Sequence, residues 1–367
     1  MINPDDYPIR KIYDLFLELS NICNFDCPFC PNSRMTRPRG IMPYEFAVSL
    51  LDQIRQEGIS QRIVLFLMGE PLLVPYLYQI LPEIQKRDLV SIIHTNASLL
   101  NDEHSVRLLQ SPLNELHISL QTFGQEALNQ KSKRPIDFRL YMDGILNLVE
   151  QHYHAGSPMI LKIHFFSRTW QSVFRGRELN AYVTHSFRYL VDFFNQWMKD
   201  RLDLNLSSHR LPFSLNQAYE VEILPRIFLV SRQVTTFGGN MGKPKKYKAR
   251  FGSCQTLINQ VGILWDGRVT ACCNDFDGKL ILGDTHRQPL IEILNSPIAL
   301  KLYYGFKAGR IWHPLCRTCR GGNNVWYWLI KQAASVWAVK TGTSFYRKKR
   351  ISWSGPDQAN QGDSHVR

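Results

Sequence analysis

The sequence predicts an α/β protein in which a parallel sheet or barrel carries helices on its outside, and three observations lead there. Short apolar runs recur at "LFLEL" (15–19), "RIVLFLM" (62–68), "LVSIIH" (89–94), "ELHISL" (115–120) and "MILKIHFF" (159–166). Each has strand length and ends in polar or turn residues. Helix-period segments lie between them, notably "PYEFAVSLLDQIRQEG" (43–58), "PYLYQILPEIQKR" (75–87) and "RLYMDGILNLVEQHYHAG" (139–156). Strand followed by helix, repeated at least five times, argues for parallel pairing through helical crossovers.

In such folds ligands collect where the strand-to-helix loops converge, at the C-terminal ends of the strands. The chemistry-bearing segments fall there. "CNFDCPFC" (23–30) follows the first strand, "MGEP" (68–71) closes the second, "HTNA" (94–97) the third and "SLQ" (119–121) the fourth. From about 167 to 245 the pattern loosens. "RTWQSVFRGREL" and "FRYLVDFFNQWMKDRL" read as helical and "EVEILPRIFLV" (220–230) as one strand, so this stretch reads as the end of the core plus an inserted segment. There is no internal repeat and no low-complexity tract.

At 367 residues with 44% apolar residues, the chain can bury a sizeable core. "MINPDDYPIRKIYDLF" lacks the apolar run of a secretory signal, so a cytoplasmic location is expected. In a reducing compartment the eight cysteines read as metal ligands or catalytic thiols before disulfides. The net charge of +13 suits an acidic partner, yet much of it lies in "KPKKYKAR" (243–250) and "RKKR" (347–350). These runs read as solvated linkers, with an anionic surface as the alternative. No nucleic-acid partner is expected.

Three of the cysteines, Cys23, Cys27 and Cys30, crowd into eight residues with no histidine nearby. A structural zinc site closes itself with four ligands. A [4Fe-4S] cluster on three thiolates instead leaves one iron open to a non-protein ligand. The spacing Cys23-x3-Cys27-x2-Cys30, with Phe29 before the last cysteine, resembles the signature of the radical S-adenosylmethionine (SAM) superfamily. The resemblance covers residues 12–166 and implies a partial (β/α)6 TIM-like barrel, with SAM chelated by the open iron. "MGEP" resembles the family's Gly-Gly-Glu-Pro stretch, with Met68 in place of the first glycine; it implies that Gly69 and Glu70 contact the SAM amino group. Ser119 and Gln121 lie where the family contacts the SAM ribose or carboxylate. Thr95 and Asn96 line the same face, where a plain strand-ending turn explains them equally well. No residue on strands five and six is assigned to the adenine.

The other cysteines are Cys254, Cys272, Cys273, Cys316 and Cys319. "VGILWDGRVTACC" reads as a hairpin turned at Asp266-Gly267, which would return Cys272 beside Cys254. The Cys-x2-Cys at 316–319 then completes a four-thiolate site, for which zinc and an iron-sulfur cluster both fit. This region resembles the C-terminal SPASM/twitch extension of radical SAM enzymes, in its shorter, single-cluster form because no cysteine follows Cys319. The resemblance implies Cys254, Cys272, Cys316 and Cys319 as ligands of an auxiliary [4Fe-4S] cluster, and adjacent Cys273 could exchange roles with Cys272.

Taken together, the resemblance implies a 5'-deoxyadenosyl radical that abstracts hydrogen, an electron donor such as flavodoxin or ferredoxin, and an auxiliary cluster that takes up the substrate's electron. Oxidation is then the expected reaction. Relatives of this kind act on small molecules, glycans or peptides. With the cysteine loop starting at residue 23, there is no room ahead of it for a peptide-recognition domain, which favours a small or carbohydrate-like substrate over a ribosomal peptide or protein side chain. A non-catalytic metal-binding scaffold is the rival, opposed by the intact Cys23, Cys27, Cys30 and Glu70. His94, His117 and His164 each read as structural strand residues. The expected organisation is a core over 12–245, an auxiliary domain over 250–322, an aromatic and basic helix over 323–353 and a disordered tail over 354–367. In that helix Trp326, Ile330, Ala333 and Trp337 share a face, which suits either docking on the core or peripheral contact with the inner membrane surface.

Overall fold

The computed structural model describes residues 7–167, 183–204, 219–232, 245–341 and 349–351. Strands β1 (Asp14–Leu17), β2 (Arg62–Val64), β3 (Val90–Thr95), β4 (Glu115–Gln121) and β5 (Ile160–Phe166) form where the apolar runs place them. Between them run α1 (Tyr44–Gln56), α2 (Leu77–Lys86), α3 (Asp102–Gln110), α4 (Gln125–Asn129) and α5 (Phe138–His154). The period of 3.6 puts Ala47, Leu50, Leu51 and Ile54 on the buried face of α1. Helix α3 starts at Asn101, whose side chain accepts from His104 N at 2.8 Å.

After α5 and β5 come α6 (Phe187–Leu202), β6 (Tyr219–Leu224) and β7 (Ile227–Arg232). The run at 220–230, read as one strand, is two. Arg226 takes a left-handed conformation (φ 63°) beside Pro225, and β6 folds back antiparallel on β7. The only local trace of the turn is Pro225-Arg226, between the alternating "EVEIL" and the apolar "IFLV". It is β7, parallel to β5, that completes six parallel strands in the order β1-β2-β3-β4-β5-β7. The sheet does not close, in keeping with a partial barrel. The helical reading of "RTWQSVFRGREL" and the tail at 354–367 lie outside the described residues.

The C-terminal region joins the same sheet. Strands β8 (Gln260–Ile263), β9 (Arg268–Thr270) and β10 (Ile281–Asp284) form an antiparallel ladder, and β8 pairs in parallel with β1 from Asp14↔Gln260 to Leu17↔Ile263. Helices α7 (Leu290–Leu294), α8 (Pro297–Lys307), α9 (Pro314–Cys319) and α10 (Val325–Thr341) follow. The basic run at 347–350, read as a linker, contributes Lys349 and Arg350 to β11 (Lys349–Ile351), which pairs with β6. On α10, Trp326, Ile330 and Trp337 are exposed, while Gln332 is buried and accepts from Phe251 N at 3.1 Å. Among the described residues no helix is long and apolar enough to cross a membrane.

Alternation along the parallel strands separates two environments. Leu15, Leu17, Ile63, Ile93, Leu116, Ile118, Leu161, Ile163, Ile227 and Leu229 belong to the main core cluster. The opposite, lumen-facing positions carry Arg62, His94, His117, Ser119, Lys162, His164 and Arg232.

A buried ion pair fastens the auxiliary strands to the loop behind the first cysteines. Arg37 donates from Nη1 and Nη2 to the Glu18 carboxylate at 2.7 and 2.5 Å, and from Nε to the Phe276 carbonyl at 2.7 Å. Both side chains are almost wholly inaccessible. Asp277 adds bonds from Thr36 N and Thr36 Oγ1 at 2.7 and 2.9 Å. Arg37→Met is expected to destabilise the fold by about 3–5 kcal/mol, because it strands a buried carboxylate; denaturant titration would measure it.

Candidate functional site

The first site grows from the loop between β1 and α1. The "MGEP" turn is the wall behind it. Glu70 N donates to Ile22 O at 2.9 Å, and Asn32 Nδ2 donates to Met68 O at 2.7 Å and Asn21 O at 3.1 Å. Asn96, at the end of β3, reaches across with Nδ2 to Asn24 Oδ1 at 2.9 Å and Cys23 Sγ at 3.8 Å. Phe25 N points at Cys23 Sγ from 3.4 Å. Phe29 packs edge-on against Phe166 of β5, ring centres 4.9 Å apart.

The three thiols fit an iron-sulfur cluster better than they fit isolation. Burial pushes all of them up, Cys30 to about 12 and Cys27 beyond that. They would become thiolates only with a metal supplying the compensating charge. Two lysines stand close by. Lys131 is buried, donates to Leu120 O at 2.8 Å and is acted on by Cys27; burial pushes it down to about 8. Lys133 donates to Cys23 O at 2.8 Å. Sequence reading passed over both, and the only trace is the basic stretch "KSKR" (131–134) past the fourth strand.

The expected SAM-side residues gather at the same strand ends. Gly69 is in contact with the loop entering Cys23, and a register shift between Ile118 and Gln121 of β4 sets Gln121 opposite Phe165 of β5. Gln121 (φ 62°) and Ala97 (φ 64°) are both left-handed at the C-terminal ends of neighbouring strands, the kind of strained position that clusters at working sites. Glu70 behaves differently from a ligand-facing acid. Its buried carboxylate accepts from Thr95 Oγ1 and Asn96 N at 2.7 Å each and from Leu72 N at 3.2 Å. Burial pushes it up to about 7 against the pull of those donors, so it braces the turn that carries Asn96.

At the second site Cys254, Cys272, Cys316 and Cys319 line one cavity with Thr256, Asp275 and Phe306. Cys273 is absent from that lining; its thiol donates to Gln260 Oε1 at 3.1 Å. Cys272 Sγ receives Gln260 Nε2 and Asn274 N, each at 3.4 Å. Burial pushes the Cys254 thiol up to about 11 and raises Cys316 and Cys319 too. Lys245 donates to Cys319 O at 2.7 Å. Four cysteines on the wall of one cavity, with N–H donors and cations around them, suit a cluster larger than a single metal ion; among the described residues no group of three or more ligands is placed to hold one ion.

The three strand histidines, expected to be separate structural residues, meet in the lumen. His94 lies 4.2 Å from His117 and His117 5.0 Å from His164, between ring centres. Burial pushes His117 down to about 4, with Glu115 pulling the other way. Burial alone would raise Glu115, but bonds from His117 and Arg62 outweigh it and leave that carboxyl at about 2. Unfolded, His117 would take up a proton near pH 6.5, so between about pH 6.5 and 4 the folded state binds fewer protons and stability falls as pH falls. This imidazole alone should cost about 2 kcal/mol between pH 7 and 5. Glu70 has the opposite sign over about pH 4.5 to 7, so the measurement is a difference. His117→Gln should remove about one proton from the pH dependence of the denaturant midpoint relative to wild type.

Comparison with known proteins covers both regions of the chain. The family model described as the radical SAM superfamily matches residues 17–165, and the SPASM model, an iron-sulfur cluster-binding domain, matches residues 254–320. A tungsten-containing aldehyde ferredoxin oxidoreductase cofactor-modifying protein of Pyrococcus furiosus is 29% identical over 114 residues, 31% of each chain. A GTP 3',8-cyclase of Staphylococcus haemolyticus is 24% identical over 159 residues, 42% of this chain and 47% of the relative. The chain thus spans a third to a half of these relatives' lengths. Among solved structures, BtrN in complex with AdoMet and 2-DOIA superposes with a TM-score of 0.50 at 16% identity, covering 81% of this chain and 88% of BtrN. SuiB of Streptococcus suis bound to its precursor peptide SuiA gives 0.50 at 15% identity, covering 85% and 72%.

Proposed function

Because the chain belongs to the radical SAM superfamily and carries a C-terminal SPASM iron-sulfur domain, we propose that it oxidises a small polar or carbohydrate-like molecule held in the barrel lumen. Cys23, Cys27 and Cys30 would hold the first cluster, with Gly69, Asn96, Ser119 and Gln121 on the SAM side and Glu70 bracing Asn96. Cys254, Cys272, Cys316 and Cys319 would hold the second. Bound there, cluster and SAM supply the 5'-deoxyadenosyl radical that abstracts hydrogen. Turning a C–H beside a hydroxyl or amine into a double bond requires the further loss of one proton and one electron.

The observation that carries the reading is the convergence of Cys254, Cys272, Cys316 and Cys319 on one cavity in a domain hydrogen-bonded into the barrel sheet. Four protein thiolates fill a cluster's coordination and leave no position for substrate, which suits an exit for that electron. The histidine and arginine lining of the lumen supports a small polar occupant. The fold itself admits either kind, since one similar structure holds 2-DOIA and another a precursor peptide. An external reductant, such as flavodoxin or ferredoxin, would serve the first site.

Iron, sulfide and zinc per chain after anaerobic reconstitution, with 5'-deoxyadenosine release under a strong reductant, test this. About eight irons with SAM cleavage are expected. About four irons and one zinc would remove the electron acceptor and with it the oxidation. Well-loaded protein that leaves SAM intact would mark a scaffold instead.

A further inference from the structure

Arg232 ends β7, the last of the parallel barrel strands, on the lumen side, and its side chain is held by a chain of bonds whose direction is fixed. Its Nε donates to His164 Nδ1 at 2.8 Å. Guanidinium nitrogens only donate, so His164 Nδ1 accepts and the neutral ring carries its proton on Nε2. That Nε2 lies 3.1 Å from His117 Nδ1, which must accept in turn. His117 Nε2 then donates to Glu115 Oε2 at 3.0 Å. Arg62 Nη1 at 2.9 Å and Lys162 Nζ at 3.8 Å keep Glu115 ionised at the far end.

Every imidazole lone pair on this path is used, so neither His117 nor His164 stands ready as a base. The relay instead sets the orientation of one cation. Arg232 keeps solvent-accessible surface although it sits deep among the strand ends, where burial pulls its guanidinium down. Its Nη1 and Nη2 groups make no hydrogen bond and no ion pair to any described residue; the carboxylate that acts on it from nearby is Glu220. A pre-oriented guanidinium fork with four spare N–H groups matches a planar or tetrahedral oxyanion, which it binds bidentately.

We infer that Arg232 is the substrate-recognition residue of the lumen and that the substrate carries an anionic group, a carboxylate or a phosphate. His164 and His117 are positioning residues that aim the fork. The inference rests on the lumen being the substrate chamber proposed above. Its test does not need SAM cleavage, so the two readings can fail separately.

The test is saturation-transfer NMR on the reconstituted full chain in physiological salt, where general attraction to a basic surface is screened. The probes are methyl phosphate, acetate and, as the neutral counterpart, acetamide. Transfer to one or both anions but not to acetamide is expected, and which anion responds identifies the group. Arg232→Gln should weaken that binding about tenfold or more with iron content unchanged, and Arg232→Lys should lose less. Arg188→Gln, an exposed arginine on α6, should change nothing. His164→Leu should weaken binding and His164→Gln, which keeps an acceptor for Arg232, should restore it. Anion binding equal in wild type and Arg232→Gln, equal response to acetamide, or no response to either anion would overturn the assignment.

Discussion

Gly69→Ala is expected to abolish SAM cleavage and to lower the iron content by about half. A Cβ at this position would run into the Ser20 carbonyl, its oxygen first and its carbon at 2.7 Å, with Ile22 O at 3.0 Å. These are backbone atoms of the segment entering Cys23, so no side-chain rotation relieves the clash. The alternative is for the cysteine loop to move away from the Glu70 N to Ile22 O bond, carrying Cys23 off its place opposite Asn96. Overpacking of this kind costs roughly 1–3 kcal/mol or more, yet the functional loss should exceed the stability loss, because cluster chemistry depends on the position of three sulfurs. Iron analysis and 5'-deoxyadenosine assays, beside a melting curve, separate the two effects. An alanine variant that cleaves SAM normally would show that the loop is not held by this contact.

Cys272→Ser and Cys273→Ser should differ sharply although the residues are neighbours. The first removes a sulfur from the wall shared with Cys254, Cys316 and Cys319, and about four of eight irons should be lost. The second removes a thiol whose partner is Gln260, and both clusters should load. Equal iron loss in the two variants, or loss only in Cys273→Ser, would reverse the ligand assignment.

That distinction also shows where sequence reading stops. The spacing of Cys23, Cys27 and Cys30 is local, so one loop and one pattern reveal it. The parallel sheet was legible for the same reason, since alternation and apolar runs are short-range signals. The two adjacent cysteines look alike in sequence, and what separates them is which one faces the cavity shared with Cys254, Cys316 and Cys319. The hairpin at Pro225-Arg226 leaves only that dipeptide as a local trace, because both arms have strand character. Lys131 beside Cys27, Asp277 under Thr36, and the path from Arg232 to Glu115 join residues far apart in the chain. Such contacts leave no periodicity behind them, and the histidines along the path looked like ordinary strand residues one at a time.

The bonds from Arg37 to Phe276 and from Thr36 to Asp277 also have a bearing on how the protein is made. The loop behind the first three cysteines is braced by residues about 240 positions later in the chain. At ordinary synthesis rates a ribosome needs roughly 10–50 s to cover that distance. Throughout that interval the nascent chain displays its first thiols on a loop without its partners, while the outer edge of β1 awaits β8. Iron delivered too early would meet an unfinished pocket, so maturation of both sites should follow release of the finished chain, and partial translation products should be poor acceptors of iron.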